Sequence, residues 1–331
     1  MHRPAGSLTR RGLIAASAGL PFAAPVLARA AADGTSVAVP AAPPPPPAAV
    51  PTAPAPVAAP APAPAPTSAP APAWTLTDYE KAMAASGRPA HIAEAEFAAI
   101  QKRKPAAIGR IAAYLKSRLG HADPAVTAAF EAVPREYFHY VYSTRTPVPN
   151  EAYETDPKPW AIGYGSALSD YLGQAYMTQL LGPKPGMTSL EIGTGSGFQS
   201  ALLSRIVDRA YTIEIIAPLG DAVSRIFAPL GYGNVHTKVG DGYYGWPEVK
   251  GGFDLIIVTC AARYAPPALF AQMKPGGRMV IPIGQPFKRG QVLYVYTKDA
   301  AGKIHSRRDM GVFFIPMTGA IAKEAKPTTT G

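Results

Sequence analysis

From residue 186 onward, short apolar runs alternate with longer segments of mixed polarity. The connections between the first five runs are long enough for a helix, whereas the last two runs follow after much shorter ones. Strands that alternate with helices are typical of a parallel sheet covered on both faces, and short final connections add an antiparallel edge. The pattern therefore predicts an α/β fold with a doubly wound, mostly parallel sheet. The predicted strands, seven in all, cover residues 189–192, 210–213, 235–239, 255–259, 278–283, 291–296 and 311–315.

A helical segment precedes the predicted sheet. Between residues 74 and 119, apolar residues recur at helical spacing, and Gly87, Pro89 and Pro105 interrupt the run. The apolar positions are Tyr79, Met83, Phe97, Ile100, Ile108, Ile111 and Leu115. We predict two or three short helices within residues 74–122. They would pack against a domain at residues 123–319, which a flexible tail at residues 320–331 follows.

The first thirty residues have the features of an export signal. Arg10 and Arg11 precede a short apolar stretch, and Ala28-Arg29-Ala30 matches the A-x-A site of a signal peptidase. Pro21 and Pro25 interrupt the stretch, which is shorter than the ~20 residues that span a bilayer, so no stable membrane helix is expected. We therefore predict a twin-arginine signal peptide over residues 1–30 and a periplasmic location. A chance arginine pair in a cytoplasmic protein is the alternative.

Residues 31–73 are predicted to be a disordered linker. Fifteen prolines fall between residues 40 and 73, and most of them alternate with alanine. Proline donates no backbone hydrogen bond, so such a sequence favours extended polyproline II. If the signal stays uncleaved, this spacer would hold the folded domain away from the membrane.

Charge and cysteine content exclude several classes of function. The formal charge is +10, and removal of residues 1–30 with their four arginines would leave +6, which suits anionic partners. The basic residues are scattered, so nucleic-acid binding is not expected. Cys260 is the only cysteine, so neither an intramolecular disulfide nor a cysteine-based metal site can form. Its apolar surroundings predict a buried, unreactive thiol, and no metal site is predicted.

A glycine-rich loop follows the first predicted strand and opens a helix. It comprises Glu191, Ile192, Gly193, Thr194, Gly195, Ser196 and Gly197. Glycines at such a turn let the backbone approach a ligand that a side chain would exclude. Enzymes that bind NAD have a similar glycine-rich loop, but their G-x-G-x-x-G pattern needs a glycine at the position of Phe198. The spacing thus favours a mononucleoside ligand, with an NAD-dependent oxidoreductase as the weaker alternative.

Acidic residues follow the next two predicted strands. Glu214 closes the second strand, where a carboxylate can accept hydrogen bonds from both hydroxyls of a ribose. Asp241 and Gly242 follow the third strand. Open α/β sheets bind ligands at the carboxyl ends of their strands, so we predict cofactor contacts by the glycine loop, Glu214, Asp241 and Gly242.

These motifs resemble those of the protein-L-isoaspartate O-methyltransferase family. The matching segments are PAVTAAFEAVPREYF, AYETDPKPWAIGYG, SLEIGTGSGFQSALLS, YTIEIIAPL, LGYGNVHTKVGDGYYGWPE, FDLIIVTCAA and MKPGGRMVIPIG. The resemblance covers residues 123–319 and implies a Rossmann-like methyltransferase that uses S-adenosylmethionine. It also implies that the glycine loop contacts the methionine part of the cofactor, Glu214 the ribose, and Asp241-Gly242 the adenine. The implied reaction is methylation of L-isoaspartyl carboxylates in damaged proteins or peptides, which starts their repair.

The segment that resembles the family's substrate site departs from its pattern. Ser169 matches the serine whose hydroxyl contacts the isoaspartyl carboxylate, but Asp170-Tyr171 and Gly173-Gln174 replace residues that are uncharged or apolar in the family. A substrate carboxylate near Asp170 would be repelled unless that side chain points away. Ser169 also precedes a predicted helix and is well placed to be its N-cap.

The predicted chemistry needs no catalytic base, because a carboxylate is already ionised at neutral pH. We accordingly expect His139, His236 and His305 to be structural or surface residues. Two further hypotheses stay open. The departures around Ser169 allow a methyltransferase with a different carboxylate acceptor. Export away from the compartment that makes the cofactor allows a binding module that has lost catalysis.

Overall fold

The computed structural model describes residues 74–285 and 290–323 of the chain. The predicted signal peptide and linker lie outside these residues, as does most of the predicted tail. Among the helices that are described, none is both long and apolar enough to cross a membrane.

Two helices form the N-terminal segment. Helix α1, Leu76–Ala85, starts at a capping box, in which the Asp78 amide donates to the Thr75 hydroxyl at 3.2 Å and the Thr75 amide to the Asp78 carboxylate at 3.0 Å. Helix α2, Glu94–Leu119, ends at Gly120, whose φ is +83°. Pro105 does not interrupt the helical run as predicted, because α2 continues through it. Buried apolar residues on both sides of Pro105 keep the helix packed on its neighbours.

Short elements lead from α2 to the sheet. They are α3 at Pro124–Ala132, α4 at Arg135–Phe138, β1 at Tyr140–Val141, β2 at Thr146–Pro147, β3 at Trp160–Gly163, β4 at Ser166–Leu168 and α5 at Tyr171–Leu181. Strands β1 and β2 pair as one antiparallel ribbon, and β3 and β4 as another. The second ribbon delivers the chain directly to Ser169 and the start of α5.

The predicted doubly wound sheet is confirmed, with the strand order β11-β10-β9-β8-β5-β6-β7. Strands β5 to β9 run parallel, and β10 is antiparallel to both of its neighbours. The elements are β5 at Thr188–Ile192, α6 at Phe198–Ser204, β6 at Arg209–Glu214, α7 at Ala217–Val223, β7 at Val235–Val239, β8 at Phe253–Val258, α8 at Pro267–Gln272, β9 at Met273–Ile283, β10 at Gln291–Lys298, β11 at Ile304–Val312 and α9 at Ala320–Lys323. The order in which successive strands are added to the sheet reverses between β5 and β8, and this switch point opens a crevice at the carboxyl ends of the strands.

The last strand lies earlier in the chain than predicted. The apolar run at residues 311–315 suggested it, whereas β11 covers Ile304–Val312 and is polar over much of its length. An edge strand can carry polar side chains because one of its sides faces solvent. The apolar run instead crosses the carboxyl edge of the sheet, where the Ala261 amide donates to Ile315 O at 2.8 Å.

The N-terminal helices share a hydrophobic core with the helices of the α/β domain. One cluster contains Tyr79 and Met83 of α1, Ile111 of α2, Phe130 of α3 and Phe198 of α6. Phe198, the residue that interrupts the dinucleotide pattern, is fully buried with its ring 5.8 Å from that of Phe130. Thus α1 and α2 support the helix that follows the glycine loop.

Candidate active site

A cavity of about 770 Å³ opens at the carboxyl edge of the sheet. Its floor is formed by the ends of β5, β6 and β8, and its walls by residues 164–177 and 310–318. Of the predicted cofactor residues, those in the lining are Glu191, Gly193, Thr194, Gly195, Ser196, Glu214 and Gly242. Ser169 lines the same cavity, so the fold brings the predicted cofactor and substrate residues together.

The glycine loop is held too tightly to accept side chains at two of its positions. Gly193 has φ +97°, and a Cβ there would lie 2.7 Å from Thr259 Oγ1. Gly197 has φ +83°, and a Cβ would lie 2.9 Å from the side chains of Ile226 and Phe227. At Gly193 the backbone itself, without a side chain, therefore lines the cavity. Gly197 is not in the lining and serves as the N-cap of α6.

Glu214 presents a carboxylate with spare hydrogen-bonding capacity. Its two oxygens accept from the Gly195 amide at 2.9 Å and the Ile216 amide at 3.0 Å. An ionised carboxylate can accept about four hydrogen bonds, so two more donors can be accommodated. The arrangement matches the paired hydroxyls of a ribose.

Glu191 is a buried carboxyl group without a cationic partner in the described part of the chain. It accepts hydrogen bonds from the Ser200 hydroxyl and, at 3.1 Å, from the Thr212 hydroxyl. Burial raises the pKa of Glu191 to about 8. Because this pKa lies above neutrality, Glu191 is mostly uncharged at pH 7, and the acidic character of the cavity comes from Glu214 and Asp170. No lysine, arginine or histidine is found among the described residues of the lining. Such a lining favours a positively charged ligand.

Asp241 and Gly242 have different roles. A Cβ on Gly242 would lie 2.3 Å from Ile192 Cγ2, so the backbone here packs directly on β5 and enters the lining. The Asp241 carboxylate instead accepts from the amides of Tyr243 at 2.9 Å and Ala320 at 2.7 Å. Asp241 is not in the cavity lining. Its carboxylate ties the loop after β7 to the start of α9.

Asp170, not Ser169, is the N-cap of α5. Its carboxylate accepts from the Gly173 amide at 2.7 Å, so the expectation that Ser169 caps this helix is wrong. The hydroxyl of Ser169 makes no hydrogen bond to another described residue and remains available in the cavity. The Asp170 carboxylate is turned toward its own helix, where the amide groups stabilise negative charge.

Two of the four departures from the family pattern, Asp170 and Gly173, fit each other, and the other two make contacts outside the segment. A Cβ at position 173 would lie 2.9 Å from Asp170 Oδ2, so Gly173 makes room for the aspartate. The Tyr171 hydroxyl donates to Glu154 O at 2.7 Å, and Gln174 Oε1 accepts from Arg135 at 2.7 Å. The altered segment is therefore a set of matched contacts around an intact Ser169.

Arg135 places a buried positive charge behind Ser169. Its guanidinium donates to Ser169 O at 2.7 Å and Ala152 O at 3.1 Å, in addition to Gln174, and lies 4.7 Å from the centre of the Phe198 ring. Burial lowers the pKa of Arg135 to about 10, so it stays charged at neutral pH. No carboxylate of the described residues lies within 4 Å of it. Its field therefore acts on the region around Ser169.

Several lining residues were not predicted from the sequence. Thr259 and Cys260 follow β8, and the rule that ligands bind at strand ends could have indicated them. Burial raises the pKa of the Cys260 thiol to about 12, in line with an unreactive side chain. No local sequence signal points to the lining residues of α2 and of the segment after β11. His139, His236 and His305 are all outside the lining.

Comparison with known proteins identifies one family. The family model described as "Protein-L-isoaspartate(D-aspartate) O-methyltransferase (PCMT)" matches residues 110–322 and thus begins inside α2. The protein-L-isoaspartate O-methyltransferase 1 of Nitrosospira multiformis is 45% identical over 202 residues, which are 60% of this chain and 82% of the relative. The enzyme of the same name from Cupriavidus necator is 45% identical over 218 residues, 66% of this chain and 80% of the relative.

Solved structures show the same architecture. A protein-L-isoaspartate O-methyltransferase superposes with a TM-score of 0.56 at 27% identity, covering 65% of this chain and 67% of its own. A second structure, a putative enzyme of this type from Plasmodium falciparum in complex with S-adenosyl-L-homocysteine, has a TM-score of 0.51 at 22% identity and covers 63% and 97% of the two chains. At that identity the second similarity concerns the fold alone.

Proposed function

The chain belongs to the protein-L-isoaspartate O-methyltransferase family, and we infer that it methylates the carboxylate of L-isoaspartyl residues in damaged proteins or peptides. Its cofactor is S-adenosylmethionine, which supplies a methyl group activated by a positively charged sulfur. The ester that forms can collapse to a succinimide, which starts repair of the damaged residue.

The cavity lining fits this cofactor. The backbone of residues 193–196 would hold the methionine part, where only glycine at 193 leaves space. Glu214 would accept from the ribose hydroxyls, and Gly242 would border the adenine, with Asp241 holding its loop in place. The Glu214 carboxylate, in a described lining that contains no cationic side chain, suits a ligand that carries positive charge.

Ser169 would hold the substrate carboxylate, and the charge of Arg135 would act from behind the cavity wall. The observation that carries this assignment is that Ser169, free of any capping role, lines the same cavity as the glycine loop. Its hydroxyl can donate to the carboxylate, and the buried Arg135 guanidinium behind it offsets the charge of Asp170. The protein then needs mainly to align an ionised nucleophile with the methyl group and to exclude water.

We propose that the substrates are polypeptides and not nucleic acids. Phosphate groups would need lysine or arginine side chains, and none lies in the described lining of the cavity. A different carboxylate acceptor remains the second candidate, and the replacements at Asp170 and Gln174 are the observation that favours it.

Methyl transfer by the full chain tests the proposed function. Labelled S-adenosylmethionine would be supplied with an isoaspartyl peptide or with its normal aspartyl counterpart, and base-labile methyl esters would be counted. We expect label on the isoaspartyl peptide alone, over many turnovers per enzyme molecule. Cofactor binding without label on either peptide would favour the second candidate or a binding module without catalysis.

We also propose that residues 1–30 direct export of the folded enzyme to the periplasm by the twin-arginine route. The support is the arginine pair at residues 10 and 11 and the A-x-A site at residues 28–30. Fractionation of cells that express the full chain should place it in the periplasm, and the double substitution Arg10→Lys, Arg11→Lys should retain it in the cytoplasm. Equal distribution of both forms would reject the proposal.

A further inference from the structure

The cavity extends beyond the cofactor and Ser169 into an apolar annex. We define the annex by Tyr114 of α2, Tyr176 of α5, Leu293 of β10, Met310 and Val312 at the end of β11, and Phe314 just after that strand. Apart from Tyr176 and Leu293, which are buried, these side chains are half-buried, so apolar surface faces the cavity. The acidic residues in the described lining, Asp170, Glu191 and Glu214, all lie outside the annex.

A β-bulge in the edge strand turns these side chains inward. Val292 pairs with Gly311 and Tyr294 with Arg308, so Asp309 and Met310 together face the single residue Leu293. A one-residue slip of this kind exchanges the two faces of a strand. Before the bulge, the odd-numbered residues His305 and Arg307 lie on the face of the sheet that α5 covers. After the bulge, the even-numbered residues Met310, Val312 and Phe314 are the ones that line the cavity.

A hydrogen bond fastens the bulge to the helix that follows Ser169. The Tyr176 hydroxyl donates to Asp309 Oδ1 at 2.5 Å, and Arg307 donates to the other oxygen. Along α5, Leu172 and Tyr176 are four residues apart and share the face that lines the cavity. The annex is therefore continuous with the substrate position at the start of the helix.

We propose that the annex is a specificity subsite for a large apolar or aromatic side chain next to the isoaspartyl residue of the substrate. This proposal rests on the proposed function. Consecutive Cα atoms of an ordinary polypeptide are about 3.8 Å apart, and the isoaspartyl linkage adds one methylene group on its C-terminal side. A chain that places its isoaspartyl carboxylate at Ser169 therefore brings a flanking side chain near an adjacent wall of the cavity. An apolar side chain gains from burial there, whereas lysine or glutamate would lose water without finding a partner.

A peptide series measured with the full chain tests the subsite. The peptides share one isoaspartyl residue and differ only in the residue before or after it, which is Phe, Leu, Gly, Lys or Glu. At one of the two positions we expect kcat/KM for Phe or Leu to exceed that for Lys or Glu by on the order of tenfold or more. Equal values across the series, or a preference for charged flanks, overturn the subsite and leave the proposed function standing. Absence of methylation on every peptide overturns both.

Two variants locate the effect. Met310→Lys places a charge in the annex, and we expect the ratio of Phe-flanked to Glu-flanked activity to fall by on the order of tenfold. Ser306→Lys adds the same charge to the same strand outside the annex and should keep the wild-type ratio.

Binding of S-adenosylhomocysteine reports folding of each variant, and the wild-type series decides the question if Met310→Lys does not fold. If sedimentation shows that Met310→Lys dissociates an oligomer while the peptide ratio stays unchanged, a second copy of the chain covers the annex and the proposal is wrong.

Discussion

At the scale of single residues, Glu191 couples folding to pH. Its pKa is raised from an ordinary value of 4.5 to about 8, because burial disfavours the ionised form. Between these two values the folded state holds a proton that the unfolded state has lost. The free energy of unfolding therefore decreases as pH rises through this window, by up to about 1.4 kcal/mol per pH unit.

The substitution Glu191→Gln should remove this dependence, because glutamine does not titrate. Chemical unfolding between pH 5 and pH 8 should show a flatter profile than the wild type, with the largest gain in stability at the upper end. Glu248→Gln is the control, since Glu248 is largely exposed and its pKa is lowered by hydrogen bonding to Lys238. Identical slopes for Glu191→Gln and the wild type would show that Glu191 does not carry the effect.

Ser169→Ala tests the substrate contact at the same scale. A hydrogen bond to a charged group contributes about 1.5–3 kcal/mol, so kcat/KM for an isoaspartyl peptide should fall roughly ten- to hundredfold. The dissociation constant of S-adenosylhomocysteine should not change, because Ser169 belongs to the substrate end of the cavity. A variant with unchanged kcat/KM would exclude a role for this hydroxyl.

At the scale of elements, the start of α5 depends on the Asp170 cap. Asp170→Ala removes the acceptor for the Gly173 amide and should reduce the free energy of unfolding by about 1 kcal/mol. Asp170→Asn keeps an acceptor oxygen and should be close to the wild type in stability.

The same pair of variants examines charge repulsion. The Asp170 carboxylate is turned to its helix, and Arg135 lies close to the segment, so KM for an isoaspartyl peptide should change little in Asp170→Asn. A clearly lower KM in that variant would mean that Asp170 repels the substrate. Chemical unfolding and peptide kinetics on both variants separate the two effects.

At the scale of the whole molecule, the N-terminal helices and the α/β domain should unfold together. Ile111 of α2 is 1% exposed and belongs to the cluster that includes Phe198. Ile111→Ala should lower the free energy of unfolding by about 2–5 kcal/mol. The circular dichroism signal and the binding of S-adenosylhomocysteine should be lost at the same denaturant concentration.

Lys116→Ala is the matched control on the same helix, because Lys116 is exposed and should contribute less than about 0.5 kcal/mol. Two separate transitions in Ile111→Ala, with cofactor binding retained after the first, would show instead that α1 and α2 form an independent unit.

The sequence by itself determined the first six strands of the sheet, the glycine loop and Glu214 at the end of a strand. Each of these depends on local patterns: apolar runs of strand length, glycines where backbone must turn, and Glu214 or Gly242 directly after a strand. In a parallel sheet such strand ends meet at one edge, so local order was enough to place these residues in one cavity.

Only the tertiary structure decided the features that depend on residues far apart in the chain. Arg135 reaches Ser169 across 34 positions, and Asp241 reaches Ala320 across 79. The continuation of α2 through Pro105 depends on the packing of its buried side chains, and the bulge that turns Met310 inward depends on the register between β10 and β11. Sequence patterns report the preferences of neighbouring residues, whereas these contacts arise from packing after the chain has folded.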